Sequence, residues 1–171
     1  LNDKRINIVA RADTSRENSP VEDVFALADL IRTSKPECIV CVGGGSAIDT
    51  AKASNVLASL EKDNSRIEKY FGAGEVGKRM QELKVRNLYP FIAVQVASGS
   101  GSHISKYANI TDLRTSQKKL IIDEEIVPVR AVFDYSFTAS MPESLTKDGA
   151  LDGFSHCLEV YYGFDEKNKD F

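Results

Sequence analysis

Three consecutive glycines, Gly43-Gly44-Gly45, separate an apolar run, Cys38-Ile39-Val40-Cys41-Val42, from a stretch of helical character that begins Ser46-Ala47-Ile48-Asp49-Thr50-Ala51-Lys52. A chain that passes from a short apolar strand through glycines straight into a helix commits itself to an α/β unit. Continuous apolar strands need helices over both faces. The glycines let backbone N–H groups approach an anion at the positive end of the helix. The spacing matches neither the G-x-G-x-x-G dinucleotide fingerprint nor the G-x-x-x-x-G-K-[ST] phosphate loop. This is therefore a phosphate cradle of another kind.

The pattern around it extends the unit. Ile6 to Ala10 reads as a strand, and Arg11 to Ser19 as a polar turn. Pro20 opens a helix with Val21, Val24, Phe25, Ala28 and Ile31 on one face, closed by Lys35-Pro36-Glu37. The next helix runs from Ser46 to about Leu60. This β-α-β-α order predicts a parallel sheet with its ligand at the carboxyl ends of the strands. Glu61 to Asn87, with Gly72, Gly74 and Gly77, reads as a loop holding one short helix. Phe91 to Val96 is a second buried strand, ending in Ala97-Ser98-Gly99-Ser100-Gly101-Ser102. Tyr107 to Thr111 and Lys118 to Ile122 form an antiparallel ribbon, and Val129 to Phe133 is a strand again.

From Ser140 the character changes. Ser140-Met141-Pro142-Glu143 has the form of a capping box with proline in the first turn. A helix then runs to about Tyr162 with Gly163 as its C-cap, and Leu151, Phe154, Leu158 and Tyr161 share a face. The fold class is therefore α/β: a parallel-sheet nucleotide-binding domain over residues 1–139, then the start of an all-helical domain over 140–171. The chain has 171 residues and a net charge of −3 without a basic block, which gives no support to a nucleic-acid or membrane-surface role. No apolar run reaches membrane-spanning length and no signal-peptide pattern opens the chain. Three cysteines make no paired framework, so a reducing cytoplasm is the default setting. The first residue is Leu1, and Glu166 to Phe171 follow the last helix without a stop signal, which reads as a piece of a larger chain.

Several residues carry candidate chemistry. Asp152 and His156, one turn apart on a helix, can share a divalent metal or form an ordinary exposed pair. The second glycine-serine cluster can admit a cofactor against its backbone or serve as a flexible loop. Asp49 can favour the helix dipole or accept from a ribose or the nicotinamide end of a cofactor. Lys52 can meet a phosphate or a neighbouring carboxylate. Cys38 and Cys41 sit at C-x-x-C spacing, but positions i and i+3 of a strand face opposite ways, so buried, inert thiols are expected there and at Cys157.

Together these pieces resemble the iron-containing (group III) alcohol dehydrogenase family, within the dehydroquinate synthase-like superfamily. The family's G-G-G-S-x-x-D-x-A-K run stands as Gly43 to Lys52, and its G-T-G-S-E run as Gly99-Ser100-Gly101-Ser102-His103. Its I-T-D appears as Ile110-Thr111-Asp112, its paired lysines as Lys118-Lys119, and its D-x-x-x-H metal helix as Asp152 to His156. The resemblance implies NAD or NADP bound by an α/β domain, with a divalent metal, Fe²⁺ or Zn²⁺, held by a helical domain. It places Gly44, Gly45 and Ser46 on the pyrophosphate, Asp49 near the nicotinamide, and Ser98 and Ser102 in the second cofactor loop. Lys118 falls near the ribose or phosphate, Asp13 near the adenosine ribose, and Asp152 and His156 become metal ligands. It implies hydride transfer between a nicotinamide and a small alcohol, polyol or aldehyde, in a homo-oligomer, a dimer, of the full-length protein. No catalytic base is assigned.

The sequence departs from the family pattern in places. The two threonines before the second loop fall on Val96 and Ala97, and the glutamate after it is His103. The other two metal-ligand histidines of the family lie downstream of residue 171, and the family's first strand has no counterpart before Leu1. Two alternatives stand beside the dehydrogenase reading: a sugar-phosphate cyclase of the dehydroquinate synthase type, and a non-catalytic nucleotide-binding protein with a degenerate metal site. With half a metal site, residues 1–171 alone are expected to bind metal weakly and to show no alcohol-dependent NADH production. Robust turnover by this chain in an absorbance assay would contradict that.

Overall fold

The computed structural model describes residues 6–13 and 15–163. Its organising element is a helix buried on every side. α1 (Val21–Ser34) and β1 (Ile39–Gly43) lead into α2 (Gly45–Leu60), on which eleven residues are buried: Ile48 to Leu57 without interruption, and Leu60. Small side chains make this possible. Ala47, Ala51, Ala53, Ser54 and Ala58 let neighbouring elements approach closely, so α2 has no polar stripe of the kind a surface helix shows.

Two sheets flank α2. β3 (Phe91–Gln95) pairs in parallel with β1 on one side and with β6 (Arg130–Phe133) on the other, giving the order β1-β3-β6. β4 (Tyr107–Asp112) and β5 (Gln117–Ile122) form the expected antiparallel ribbon. The two-residue strand β2 (Gly72–Ala73) extends that ribbon in parallel with β5. One core cluster joins α1, α2 and the ribbon through Val24, Ala28, Val56, Leu57, Ile110 and Ile121. A smaller one joins α2 to the parallel sheet through Ile48, Ala51, Phe91 and Ala93. Each fully buried Val, Leu, Ile or Phe side chain among them contributes about 1.5–3 kcal/mol.

The segment 61–87 is more ordered than its charge suggested: a 3₁₀ turn at Ile67–Tyr70, then β2 and α3 (Glu75–Leu83). Val76 and Met80 anchor α3 in the larger cluster. The charge is used locally. Glu61 accepts from the Tyr70 hydroxyl at 2.8 Å and from Arg79 Nε at 3.0 Å.

Several expectations fail, each for a physical reason. Residues 6–10 form no strand; β1 has no neighbour on that side among the described residues, and an unpaired strand has no ladder to hold it. β1 is covered on one face only: Val40 and Val42 are about half exposed while Ile39 and Cys41 pack on α2. Cys38 is exposed, not buried, as is Cys157. The final helix, α4 (Glu143–Gly163), begins at Glu143, so Pro142 precedes its first turn and its carbonyl accepts from Thr146 N at 3.1 Å. α4 has no buried residue; Leu151, Phe154 and Tyr161 are exposed. Residues 164–171, where the missing stop signal was read, lie outside the described residues. No helix among the described residues is long and apolar enough to cross a membrane.

Polar groups buried along α2 are paired. Asn55 spans to the chain entering β3, donating to Tyr89 O at 2.8 Å and accepting from Tyr89 N at 3.2 Å. Lys52, 1% exposed, donates to Ser105 O at 2.7 Å and Tyr107 O at 2.8 Å. Burial pushes its pKa down to about 8, against the pull of Asp49. Between pH 8 and the ordinary value of 10.5 the folded protein has lost a proton that the unfolded chain keeps, so this group adds stability as pH rises through that window. Urea unfolding of wild type and Lys52→Met should therefore show a stability difference that shifts in favour of wild type between pH 8 and 10. A difference independent of pH would refute the buried, destabilised ammonium.

Candidate functional site

The first glycine turn lies at the carboxyl end of β1, where β1 ends and α2 begins. Gly44 is the N-cap residue and no side chain caps the helix, so the first-turn amides carry no side-chain acceptor. Close packing accounts for the glycines. A Cβ on Gly43 would lie 2.5 Å from that of Ala47, and one on Gly45 would lie 2.7 Å from Ser100 Cβ and Oγ. Ser46 fixes the flanking loop: its Oγ accepts from Asn18 N at 3.1 Å and its carbonyl accepts from Ser19 Oγ at 2.9 Å. An uncapped helix start walled by glycine is a fit for a pyrophosphate.

The second loop, Ala97–Ser102, is clamped to the same helix. Asp49 takes a short hydrogen bond from Ser102 Oγ and a second from Asn109 N at 2.9 Å. Both of its oxygens are thus engaged within the protein. Burial raises its pKa, and the bonds from Ser102 and Asn109 with the charge of Lys52 oppose that rise. Gly99 and Gly101 take the left-handed φ values +109° and +60°, which lets the loop reverse over the turn at Gly44 and Gly45.

α4 seats on the outer side of that loop through backbone. A Cβ on Gly99 would lie 2.8 Å from Asp152 Oδ2 and 2.9 Å from Gly149 O. One on Gly149 would meet Ser98 Oγ at 2.6 Å. The loop therefore touches the glycine turn on one side and the Asp152 helix on the other. His156 Nε2 stands 3.8 Å from Asp152 Oδ1, with both side chains half exposed. That pair fits two corners of a metal site; among the described residues no group of three metal-binding side chains gathers.

Of the residues singled out in the sequence, Gly44, Gly45, Ser46, Asp49, Ser98, Ser102 and Asp152 come together in this arrangement, and His156 stands one turn beyond. Asp13 is exposed, in a segment without regular secondary structure. Lys118 is exposed on β5, opposite Thr111, whose hydroxyl donates to Asn18 O at 2.6 Å. A cavity of about 290 Å³ opens beside the second loop, between the ends of β3 and β6 and the start of α4. Gln95, Ala97, His103, Phe133, Met141 and Thr146 are among its walls. His103 was marked in the sequence as a departure from the family's glutamate. Gln95 carried no signal there, because a strand-end glutamine is unremarkable until its neighbours are known.

The model of the family described as iron-containing alcohol dehydrogenase matches residues 1–135 and stops before α4. An NADPH-dependent butanol dehydrogenase from Clostridium saccharobutylicum is 34% identical over 142 residues, covering 82% of this chain and 34% of its own. NADH-dependent butanol dehydrogenase A from Thermotoga maritima superposes with a TM-score of 0.73 at 26% identity, over 86% of this chain and 34% of that one. Sulfoacetaldehyde reductase from Bifidobacterium kashiwanohense, solved with NAD⁺, gives 0.71 at 28% identity, over 86% and 37%. The chain thus spans about a third of the length of these relatives.

The seat of α4 is open to a direct test. Gly99→Ala puts a methyl group into Asp152 and Gly149 and strains a left-handed residue, at a cost of about 1–3 kcal/mol. Hydrogen exchange of α4 amides should accelerate about tenfold or more, while α2 amides change little. Unchanged α4 protection would mean that the helix does not rest on this loop.

Proposed function

Because the chain belongs to the iron-containing alcohol dehydrogenase family, we propose that it carries the cofactor-binding part of a metal- and NAD(P)-dependent oxidoreductase of small alcohols, polyols or aldehydes. The observation that carries this reading is the second loop, held between the glycine turn and the Asp152 helix. Residues 1–139 form the nucleotide-binding domain and 140–171 begin the metal-binding one.

In this reading Gly44, Gly45 and Ser46 present amides to the pyrophosphate, and Lys118 reaches toward the ribose or phosphate. Asp13 approaches the adenosine ribose. Asp49 acts by fixing the loop of Ser98 and Ser102 on which the nicotinamide end lies. Asp152 and His156 supply an oxygen and a nitrogen to Fe²⁺ or Zn²⁺. When bound, the metal polarises the substrate oxygen and the nicotinamide carries the hydride. The three free thiols suit a reducing cytoplasm. The names of the relatives include both NADH and NADPH, so either cofactor is carried forward.

The test has two parts. NADH should bind this chain with enhanced nicotinamide fluorescence, and Gly45→Val should abolish binding because the added atoms overlap Ser100. In the metal-reconstituted whole protein, Asp152→Ala and His156→Ala should each lower alcohol-dependent NAD(P)H production at least about a hundredfold and weaken metal retention. Wild-type turnover in both variants would remove the metal assignment.

A further inference from the structure

Between β3 and β4 the chain runs through residues 96–106 without helix or strand. Two bonds to α2 hold this loop down: Ser102 Oγ donates to Asp49, and Ser105 O accepts from Lys52 Nζ at 2.7 Å. Gly99 and Gly101, both at left-handed φ, are pivots about which it can turn once those bonds part. His103 lies between the two fastened residues and is 8% exposed. It packs edge-on against Phe133, with ring centroids 4.6 Å apart. Its Nδ1 is buried without a hydrogen-bond partner among the described residues; the other such side-chain atom is Gln95 Oε1, which does not titrate. From α2 the ring meets the charge of Lys52, and from β6 the uncharged ring of Phe133. The flanking charges are engaged elsewhere: Lys106 Nζ stands 3.2 Å from Glu124 Oε1, and Asp134 accepts from Ser136 N at 2.9 Å. Where the family motif has glutamate, this chain thus sets a second basic group beside a buried lysine.

We propose that His103 is an acid-sensitive latch on the second loop: once its imidazole becomes an imidazolium, the ring leaves its place against Phe133 and the loop lets go of Asp49. A neutral ring with its proton on Nε2 leaves one lone pair unpaired at Nδ1. The imidazolium carries a proton on both nitrogens and sets a positive charge beside Lys52, so it is driven toward water. Burial, then the charge of Lys52, holds the pKa of the seated ring below the ordinary 6.5. An opened loop restores the ordinary value. The open form then binds a proton that the closed form lacks, and the closed loop loses stability as pH falls through about 6.5. The other buried groups do not mimic this. Burial raises the pKa of Asp49, so its protonation favours the closed form as pH falls. Lys52, at about 8, is charged in both forms throughout the window. The latch does not depend on the dehydrogenase reading; its effect on the nicotinamide end of a cofactor does.

The experiment follows amide hydrogen exchange of the whole protein between pH 7.5 and 5, with protection corrected for the intrinsic pH dependence of exchange. The reporting amides are Ile104, which donates to Gly101 O at 3.1 Å, and Asn109, which donates to Asp49 Oδ2 at 2.9 Å. Below about pH 6.5 their protection should fall by up to about tenfold per pH unit, while α1 amides keep theirs. His103→Gln, uncharged at every pH, should hold the protection level. His103→Glu, which restores the residue of the family motif and pairs with Lys52, should hold it too and guards against a glutamine variant that folds poorly. Wild-type protection that stays level down to pH 5 would overturn the latch, as would an acid loss that persists in both variants. Fluorescence of bound NADH, compared at pH 7.5 and 6, should drop in wild type and not in the variants. Loop opening with unaltered NADH binding would keep the latch and overturn the placing of the nicotinamide end on this loop.

Discussion

The carboxylate of Asp49 governs this structure. It sits nine-tenths buried on a helix with no solvent face and receives one bond from Ser102 and one from Asn109. Those bonds tie two separate stretches to α2: the second glycine-serine loop and the start of the β4–β5 ribbon. Lys52, one turn further along α2, fastens the segment between the loop and the ribbon through Ser105 and Tyr107. Breaking those bonds would leave a buried charge without partners, at a cost of about 3–5 kcal/mol, so the loop and the helix stand or fall as a unit.

In the proposed reading, that unit is what sets the nucleotide and metal places side by side. A glycine turn at the end of a parallel strand is a general anion site. What makes it particular here is the loop laid across it, thin enough at Gly99 for another helix to rest on its far side. The backbone does the joining: Gly99, Gly149 and Gly153 meet with little side chain between them.

Much of this was legible in the sequence. The strand-glycine-helix passage, the order of elements, the ribbon and the final helix all follow from periodicity and turn residues. Asp152 was marked by its spacing to His156, Asp49 by its place in the first turn of α2, and Ser102 by the family resemblance, before their contacts were visible. What was hidden depends on neighbours. Val40 and Val42 look like core in a row of apolar residues, yet strand alternation turns them away from α2. Residues 6–10 look like a strand, yet pairing needs a second strand. Lys52 was weighed as a phosphate ligand, although two backbone carbonyls take its protons. Gln95 gave no sign, because an orphaned atom is defined by what fails to surround it.

The backbone contact between Gly99 and α4 has a wider consequence. Where two parts of a protein are registered by main chain, their alignment does not depend on the identity of the side chains nearby. The cavity walls can then drift through mutation, exchanging one functional group for another, while the spacing between glycine turn and Asp152 helix is preserved. A scaffold of this kind separates the geometry of a reaction from the choice of molecule that undergoes it.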